Sequence, residues 1–506
     1  MTYPLTKERR RLNVIRDGVA ALLVILGLLL PWSVHFGIGI AGTVGWVFGL
    51  LVLATLLSLA ALAVSHVGPR RLDVSGADLR SLAGLRLALN APYLVMVVGF
   101  VGFTVVQSIR YGGTASVPPG IGPGAWLGVA GALLVAQPVI TATDDDGQRH
   151  WVKTCRVIGI VSLVLALGAV LFNLYWRTRF VLPNIFDPDT GPQHTIVVVA
   201  AVMYGVVAVA PVVIAARWII SGDRPSRLAT VLLGASTLVA GAFVWILPVG
   251  RDLDAFHGIA EDTSTAGVGF EGYLAWAAAA AIFGSATVLG ALTRKSAASW
   301  RAAARKCLLL IAVWCAGTAV LRVIDVMSSA VLDLPAPPYN STALMAFDLV
   351  AAVLAVWLYL NSASRAAPRL LMMLLFGVLF VLTVVRLIVG LALVPRVQPL
   401  NATDINDVYG NTLSQQITST FDVALCVLAL ALLAISVALA NEMGILKRQP
   451  RPVAQEAETS HSVVPTEHWA RPEAQPGDRV AEELAESTQR FAAGTTYRAV
   501  SRKPPQ

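Results

Sequence analysis

The feature that most constrains this chain is a series of long apolar runs that recurs up to about residue 440. Each run has about 18 residues or more, enough for a helix rising ~1.5 Å per residue to cross a ~30 Å hydrocarbon layer. Spanning segments must satisfy their own backbone hydrogen bonds, so they form helices or a closed barrel. The runs are continuous and lack a period of two, which excludes a barrel. The chain is therefore predicted to be an all-α polytopic membrane protein.

Twelve transmembrane helices are predicted, arranged as six hairpins. Because their number is even, both termini are expected on the same side of the membrane. The approximate bounds of the spans are 15–35, 43–65, 84–107, 124–142, 156–176, 194–216, 228–248, 272–292, 307–329, 343–361, 370–394 and 417–440.

Lys and Arg residues indicate the orientation of these spans. Most of them lie before the first span, after the last span or in loops on that same side; Arg16 is counted with the N-terminus and Arg86 with a loop. The positive-inside rule makes this side cytoplasmic, so both termini are predicted to be cytoplasmic. The abundance of Arg, Ala and Val is typical of bacterial genomes rich in G and C. The predicted location is the bacterial cytoplasmic (inner) membrane, with the lipid bilayer as a partner.

Aromatic residues gather near the predicted outer ends of the spans. Trp and Tyr favour this position because their amphipathic rings lie at the level of the lipid headgroups. The expected interface belt comprises Trp32, Trp126, Trp176, Trp245, Trp276 and Tyr339.

Composition divides the chain into three parts. Residues 1–14 are predicted to be a cytoplasmic N-terminus, residues 15–441 the transmembrane domain and residues 442–506 a cytoplasmic tail. The tail is rich in Pro, Glu, Gln, Arg, Ser and Thr and buries too little apolar surface to fold, so it is predicted to be mostly disordered. Within it, residues 479–492 place apolar side chains on one face of a short amphipathic helix. This helix is expected either to dock on a protein partner or to form transiently without one.

The last two hairpins carry a repeated pattern. Residues 301–305 (Arg-Ala-Ala-Ala-Arg) open one unit, and residues 365–369 (Arg-Ala-Ala-Pro-Arg) open the next. Each unit then places an arginine within an apolar run and a Phe-Asp pair near the start of the following run. This pattern predicts that the hairpins arose by internal duplication. The charged members within the spans are Arg322 and Asp348 in the first unit, and Arg386 and Asp422 in the second.

These charged residues are the strongest candidates for a functional site. A charge at mid-bilayer costs about 2.5–3.5 kcal/mol on insertion scales, so such residues face the bundle interior and are usually paired. Their distances from the span ends place both arginines and both aspartates in the outer half of the membrane. Asp325, three residues after Arg322, is positioned to pair with it along one helix. The candidate set is Arg322, Asp325, Asp348, Arg386 and Asp422.

This set has two interpretations. In the first, it is a polar site that binds an anionic or lipid-phosphate group, because arginine offers carboxylate and phosphate a planar fork of five donors, or it relays protons. In the second, it is a pair of duplicated Arg–Asp locks that hold helices together. The lock is favoured because duplication of a packing device would leave such a repeated pair.

Other chemistry has little support in the sequence. The chain has no CxxC motif, no Cys/His cluster, no Gly-rich phosphate loop and no dinucleotide motif, so neither a metal nor a cofactor is predicted. Neither catalytic residues nor an enzymatic activity is predicted. The net charge of +8 is attributed to membrane orientation, and a nucleic-acid partner is not expected. The cysteines are expected to be free and packed among the helices: Cys155, Cys307, Cys315 and Cys426.

Function is predicted only as a class. Twelve spans, cytoplasmic termini and internal repeats are similar in topology to many secondary transporters. The leading hypothesis is a transporter-like protein, or one that handles lipid or envelope components, with an anionic or amphipathic solute as partner. One alternative is a non-catalytic scaffold or regulator of envelope assembly that acts through the tail. The other is a lipid-linked glycosyltransferase using Asp187 and Asp252 of two outer loops, although turn roles suit these residues better.

Overall fold

The computed structural model describes residues 7–33, 35–40, 42–67, 76–110, 120–138, 149–246, 272–293, 297–332, 341–362, 368–393 and 420–442. These segments contain helices and short turns and no strand, apart from an isolated bridge between Ser33 and Phe36. The predicted all-α class is thereby confirmed. The predicted tail, with its amphipathic segment at 479–492, lies outside the described residues.

Twelve α-helices follow one another within the described segments, and each overlaps one predicted span. A short 3-10 helix, Leu182–Asn184, lies between the fifth and sixth. The α-helices are α1 (Lys7–Leu29), α2 (Gly45–Val67), α3 (Gly76–Arg110), α4 (Pro123–Ala136), α5 (Arg149–Thr178), α6 (Gly191–Ser221), α7 (Arg224–Ile246), α8 (Tyr273–Thr293), α9 (Ala297–Val331), α10 (Ser341–Asn361), α11 (Arg369–Leu393) and α12 (Thr420–Glu442).

Ten of the described helices are long and apolar enough to cross a membrane. Of the other two apolar helices, α4 is short. α4 has 14 residues and so extends over only about 21 Å, less than the ~30 Å hydrocarbon layer. In α8 the comparable apolar stretch is Tyr273–Gly284. The structure therefore supports a multi-pass helical membrane protein with ten candidate spans among the described residues, and the count of twelve and the duplication stay predictions.

The short helix α4 lies inside the bundle. Every residue of α4 is buried, and α4 packs against α1, α3 and α8. Glycines bring these backbones together: a Cβ atom at Gly27 of α1 would lie 2.6 Å from the Cα atom of Gly128 of α4, and one at Gly124 would lie 2.2 Å from the carbonyl oxygen of Leu30. Small residues permit such close approach, which maximises van der Waals contact between membrane helices.

The predicted aromatic belt was wrong for three of its members. Trp32, Trp126 and Trp276 are completely buried in the core. Trp32 is held inside because the chain after α1 folds over the start of α4, where its carbonyl oxygen accepts a hydrogen bond from Gly122 at 2.7 Å. The Trp126 ring packs against the ring of Tyr273, with centroids 4.8 Å apart. The side chains of the predicted members Trp245 and Tyr339 lie outside the described part of the chain.

Candidate functional site

Four members of the candidate set converge from four consecutive helices. α9 supplies Arg322, α10 supplies Asp348, α11 supplies Arg386 and α12 supplies Asp422. Each of these residues is at most 3% exposed. The convergence follows from the packing order, because α9 packs against α10, α10 against α11 and α11 against α12.

Hydrogen bonds join these four residues into one network of alternating charge. Arg322 donates from Nε to Oδ2 of Asp348 at 2.9 Å. Arg386 donates from Nε to the other oxygen of Asp348 and from Nη1 to Oδ1 of Asp422. The sequence predicted two separate Arg–Asp pairs; both contacts are present, and the Arg386–Asp348 bond links them. One arginine can make this link because its guanidinium carries five donors.

α9 lines the network with further polar groups. Trp314, Thr318 and Arg322 recur every four residues and therefore share one face of the helix. Nε1 of Trp314 donates to Oδ1 of Asp422 at 2.7 Å. Nη2 of Arg386 donates to Oγ1 of Thr318 at 3.3 Å. Sequence reasoning missed both residues, because a Trp or a Thr within an apolar run carries no signal that distinguishes a network donor from a packed side chain.

Asp422 differs from Asp348 in how its two oxygens are used. Both oxygens of Asp348 accept hydrogen bonds from arginines. In Asp422, Oδ1 accepts from both Arg386 and Trp314, whereas Oδ2 is buried without a hydrogen-bond partner among the described residues. Burying a polar atom without a hydrogen-bond partner costs free energy, so the unpaired Oδ2 atom of Asp422 requires an explanation.

The fifth candidate, Asp325, has a partner that was not predicted. It was expected to be able to pair with Arg322 along α9, and it interacts electrostatically with that residue. In addition, its Oδ1 atom accepts a hydrogen bond of 2.6 Å from the hydroxyl group of Tyr204 on α6. Asp325 is half-buried and Tyr204 is 3% exposed. The Asp325–Tyr204 contact therefore extends the polar region from Arg322 to α6, through a tyrosine that the sequence did not single out.

A second buried charged cluster, which the sequence analysis missed, joins α1 and α3. Oδ1 of Asp17 accepts hydrogen bonds from Nη2 of Arg16 and from Nη2 of Arg86, each at 2.9 Å. Arg16 was assigned to the N-terminus and Arg86 to a loop, yet the two side chains are only 7% and 1% exposed. The assignment was wrong because α1 and α3 begin several residues before their apolar runs, at Lys7 and Gly76.

This second cluster caps the buried end of α4. Nε of Arg86 donates to the carbonyl oxygen of Val135 at 2.7 Å, and Nη1 of Arg16 donates to that of Pro138 at 2.8 Å. The last four carbonyl groups of a helix lack intrahelical partners and carry partial negative charge. Arg86 satisfies one of these buried carbonyl oxygens, that of Val135, and Arg16 binds the chain just after the helix, at the exposed residue Pro138. The cluster is thus explained by the termination of α4.

Asp187, from a predicted outer loop, has the contacts of a turn residue. Asp187 accepts a hydrogen bond at Oδ1 from the backbone N–H of Asp189 at 3.1 Å, which is the contact of an Asx turn. A shallow groove of about 540 Å³ lies beside it, lined in part by Phe186, Thr195 and Val331. Asp252, the second acid of the glycosyltransferase alternative, lies outside the described residues.

Among the described residues, no group of three or more His, Cys, Asp or Glu side chains could hold a metal ion. The four cysteines are buried and free.

The fold and the buried network together define a class: a multi-pass helical membrane protein that carries ion pairs between its last four helices. A family model described as Domain of unknown function (DUF7937) matches residues 13–440. The chain therefore belongs to this family. The match begins in α1 and ends in α12, so it includes every residue of the network. The comparisons with curated proteins and with solved structures find no match.

Proposed function

We propose that this chain is a transporter-like protein of the bacterial cytoplasmic membrane, with both termini cytoplasmic, that moves an anionic or amphipathic solute or an envelope lipid component. The observation that carries the proposal is the position of Arg386 between Asp348 and Asp422, with the three residues on three different helices. This guanidinium can release one carboxylate while it keeps the other. Helices that move past each other during transport need a charge network with that property.

Stability alone is a weak reason for such a network. Replacing a buried ion pair by apolar side chains of similar volume is often neutral, or stabilising by about 1–4 kcal/mol. Ionisable residues within membrane spans are rare and commonly mark solute pathways or proton relays. Four such residues in mutual contact therefore favour a functional role. The helix-lock interpretation explains the same contacts, and the experiment below separates the two.

The arginines indicate the class of solute. A guanidinium binds carboxylates and phosphates through paired donors in a fixed plane. The hydrogen bond that the structure gives Arg322 uses Nε alone, so its Nη1 and Nη2 atoms remain for a solute anion. The bilayer supplies amphipathic anions of this chemistry, and the surrounding solution supplies free ones.

Reconstitution of the full chain into liposomes tests the proposal. The panel comprises labelled carboxylates, inorganic phosphate and fluorescent phospholipid analogues, with uptake or leaflet exchange as the measurement. We expect at least one class to move in the wild type and to move more slowly in the variant Arg386→Lys. Lysine keeps the charge but cannot donate to two carboxylates in the fixed geometry of a guanidinium. The matched control is Arg301→Lys, at an exposed position on α9.

Two outcomes would count against transport. One is a folded wild-type protein that moves none of the panel. The other is an Arg386→Lys variant that transports at the wild-type rate, which would indicate a helix lock. Deletion of residues 442–506 addresses the scaffold alternative: loss of the cellular phenotype with transport intact would assign the function to the tail.

A further inference from the structure

The charges of the candidate set do not balance. Arg322 and Arg386 supply two positive charges, whereas Asp325, Asp348 and Asp422 would supply three negative charges if all were ionised. The four members that are at most 3% exposed carry equal positive and negative charge, and the set reaches a net charge of −1 once the half-buried Asp325 is included. An uncompensated charge next to a buried network is costly, so a proton on one of the three carboxyl groups, or a bound cation, would stabilise the set.

The helices packed around Asp422 do not supply the missing positive charge. α12 packs against α7, α9 and α11. Arg386 of α11 is already counted, and α7 carries its ionisable residues, Arg224 and Arg227, only in its first turn. The neighbouring ionisable groups on α9 and α12 are the thiols of Cys315 and Cys426, which supply no positive charge. Asp422 lies in the first turn of α12, whose dipole offers only about half a charge.

The hydrogen bonds indicate which carboxyl group is neutral. Asp348 is assigned as ionised, because each of its oxygens accepts a hydrogen bond from a positively charged arginine, which favours the carboxylate. Asp325 is half-buried and accepts from Tyr204, so it retains some access to its surroundings. In Asp422 one oxygen takes both donors and the other is bare. A protonated acid fits this asymmetry, with Oδ1 as the carbonyl acceptor and Oδ2 as the hydroxyl group, because a neutral group without a partner costs less to bury than a charged one.

We infer that Asp422 holds an exchangeable proton on Oδ2, and that this proton is the ion to which transport by this protein is coupled. The second half of the inference rests on the proposed function. Proton binding takes H⁺ from hydronium and leaves a neutral acid that still accepts from Arg386 and Trp314. The neutral acid attracts Arg386 less strongly than a carboxylate would, so the contact between α11 and α12 can open while Arg386 stays bonded to Asp348. Loss of the proton restores the ionic attraction between α11 and α12.

Infrared spectroscopy of the full chain in lipid nanodiscs tests the first half. A protonated carboxylic acid has a C=O stretch that is separate from the bands of carboxylates and that shifts in deuterated buffer. At neutral pH we expect this band in the wild type, its loss in Asp422→Asn and its retention in Asp325→Asn. Asparagine at position 422 mimics the neutral acid, since its carbonyl oxygen can replace Oδ1. This variant is therefore expected to fold.

Three results would contradict the assignment of a proton to Asp422. The first is a wild-type spectrum without the band. The second is a band that survives Asp422→Asn and disappears in Asp325→Asn, which would place the proton on Asp325. The third is a band that appears only when Na⁺ in the buffer is replaced by choline, which would assign the balancing charge to a bound sodium ion.

A separate measurement tests the coupling. In liposomes that transport a member of the panel, an imposed proton gradient is expected to drive accumulation in the wild type and not in Asp422→Asn. If the infrared band is present but the proton gradient does not affect transport, Asp422 carries a proton and transport is not coupled to it. If the wild-type protein shows the infrared band but transports no member of the panel, the proposed transport function is wrong, whereas the proton site on Asp422 is retained.

Discussion

Arg386 of α11 donates from Nε to Asp348 of α10, and this hydrogen bond connects two helix pairs. Within each pair, α9–α10 and α11–α12, another Arg–Asp contact is present. The bond between the pairs turns these contacts into a single network. Arg386 thereby contacts both carboxyl groups of the network, and its removal leaves Asp348 with Arg322 alone and Asp422 without an arginine partner.

Replacement of Arg386 by methionine is predicted to destabilise the membrane domain. Removing one partner of a buried pair leaves an uncompensated charge and typically costs about 3–5 kcal/mol. The measurement is the free energy of unfolding in detergent, from thermal or denaturant titration. Arg301→Met, at an exposed position on α9, serves as the control and is expected to change stability by less than about 0.5 kcal/mol. A loss below about 1 kcal/mol for Arg386→Met would contradict the network.

Exchange of the two charges in the double variant R386D/D422R is predicted not to restore stability. The exchange would reconstitute an isolated Arg–Asp pair. In this structure, however, it places a carboxylate beside Asp348, and like charges in a low-dielectric site repel. Unfolding of the double variant should resemble that of the worse single variant. Recovery to the wild-type midpoint would mean that Arg386 and Asp422 act as a pair independent of Asp348.

Trp314→Phe is predicted to lower stability through the loss of one donor. The indole nitrogen donates to Asp422, and a hydrogen bond to a neutral acid contributes roughly 0.5–1.5 kcal/mol. The matched control is Trp276→Phe, because both rings pack against Phe421 and the buried Trp276 nitrogen has no partner among the described residues. The difference between the two variants in unfolding free energy isolates the hydrogen bond. Equal losses would show that only ring volume matters at position 314.

Gly124→Ala is predicted to disrupt the packing of α4. A Cβ atom there would lie 2.2 Å from the carbonyl oxygen of Leu30, and neither backbone can give way easily. Overpacking of this kind typically costs about 1–3 kcal/mol or more. Gly99→Ala on α3 is the control, because its Cβ atom meets nothing within 4 Å. Alanine there should be neutral or mildly stabilising, since it favours the helix over glycine by up to about 1 kcal/mol. Circular dichroism melts of both variants provide the comparison.

Asp223, which precedes α7 and lies outside the candidate spans, is predicted to make stability depend on pH. Burial raises the pKa of Asp223, but hydrogen bonds from Ser226 and Ser221 outweigh it, so the net pKa lies below the usual value. A carboxyl group with a lowered pKa in the folded state stabilises the protein above the unfolded pKa of about 3.9 and loses this contribution at lower pH. Asp223→Ala should therefore cost about 1 kcal/mol at neutral pH, as loss of a helix N-cap does.

The difference in unfolding free energy between the wild type and Asp223→Ala should become smaller as the pH falls below about 4, because the wild-type carboxylate is then protonated. Asp223→Asn serves as the control, since it retains an acceptor oxygen and does not titrate. The gap between Asp223→Asn and Asp223→Ala should not change over that range. Unfolding midpoints across a pH series measure both gaps. If the difference between the wild type and Asp223→Ala does not depend on pH, the ionised form of Asp223 does not contribute to stability.

The sequence was sufficient to predict the charged pairs of the last four helices. Charges inside a membrane must find partners, and their distances from the span ends brought Arg322 level with Asp348. The Arg386–Asp348 bond could not be predicted in this way, because it depends on how α10 packs against α11. The roles of Trp314 and Tyr204 were also hidden, since aromatic residues are common in apolar runs whether or not their polar atoms donate.

The cluster at Arg16 and Arg86 was misassigned for a related reason. Hydropathy locates the apolar part of a helix, but a helix can continue beyond it into charged residues. α1 begins at Lys7 and α3 at Gly76, so both arginines belong to helices that pack against other helices. An arginine near the end of a span therefore has two possible partners, water or a neighbouring helix end, and composition alone does not distinguish them.

The burial of α4 separates its evolution from that of the surrounding helices. A helix that faces lipid must keep an apolar surface, whereas all 14 residues of α4 contact protein. Any side chain of suitable volume whose polar atoms find partners can be accepted there without contact with the hydrocarbon layer. Relatives of this chain could acquire a polar pathway along the centre of the bundle by substitutions in α4, while the outer helices keep the composition that the membrane requires.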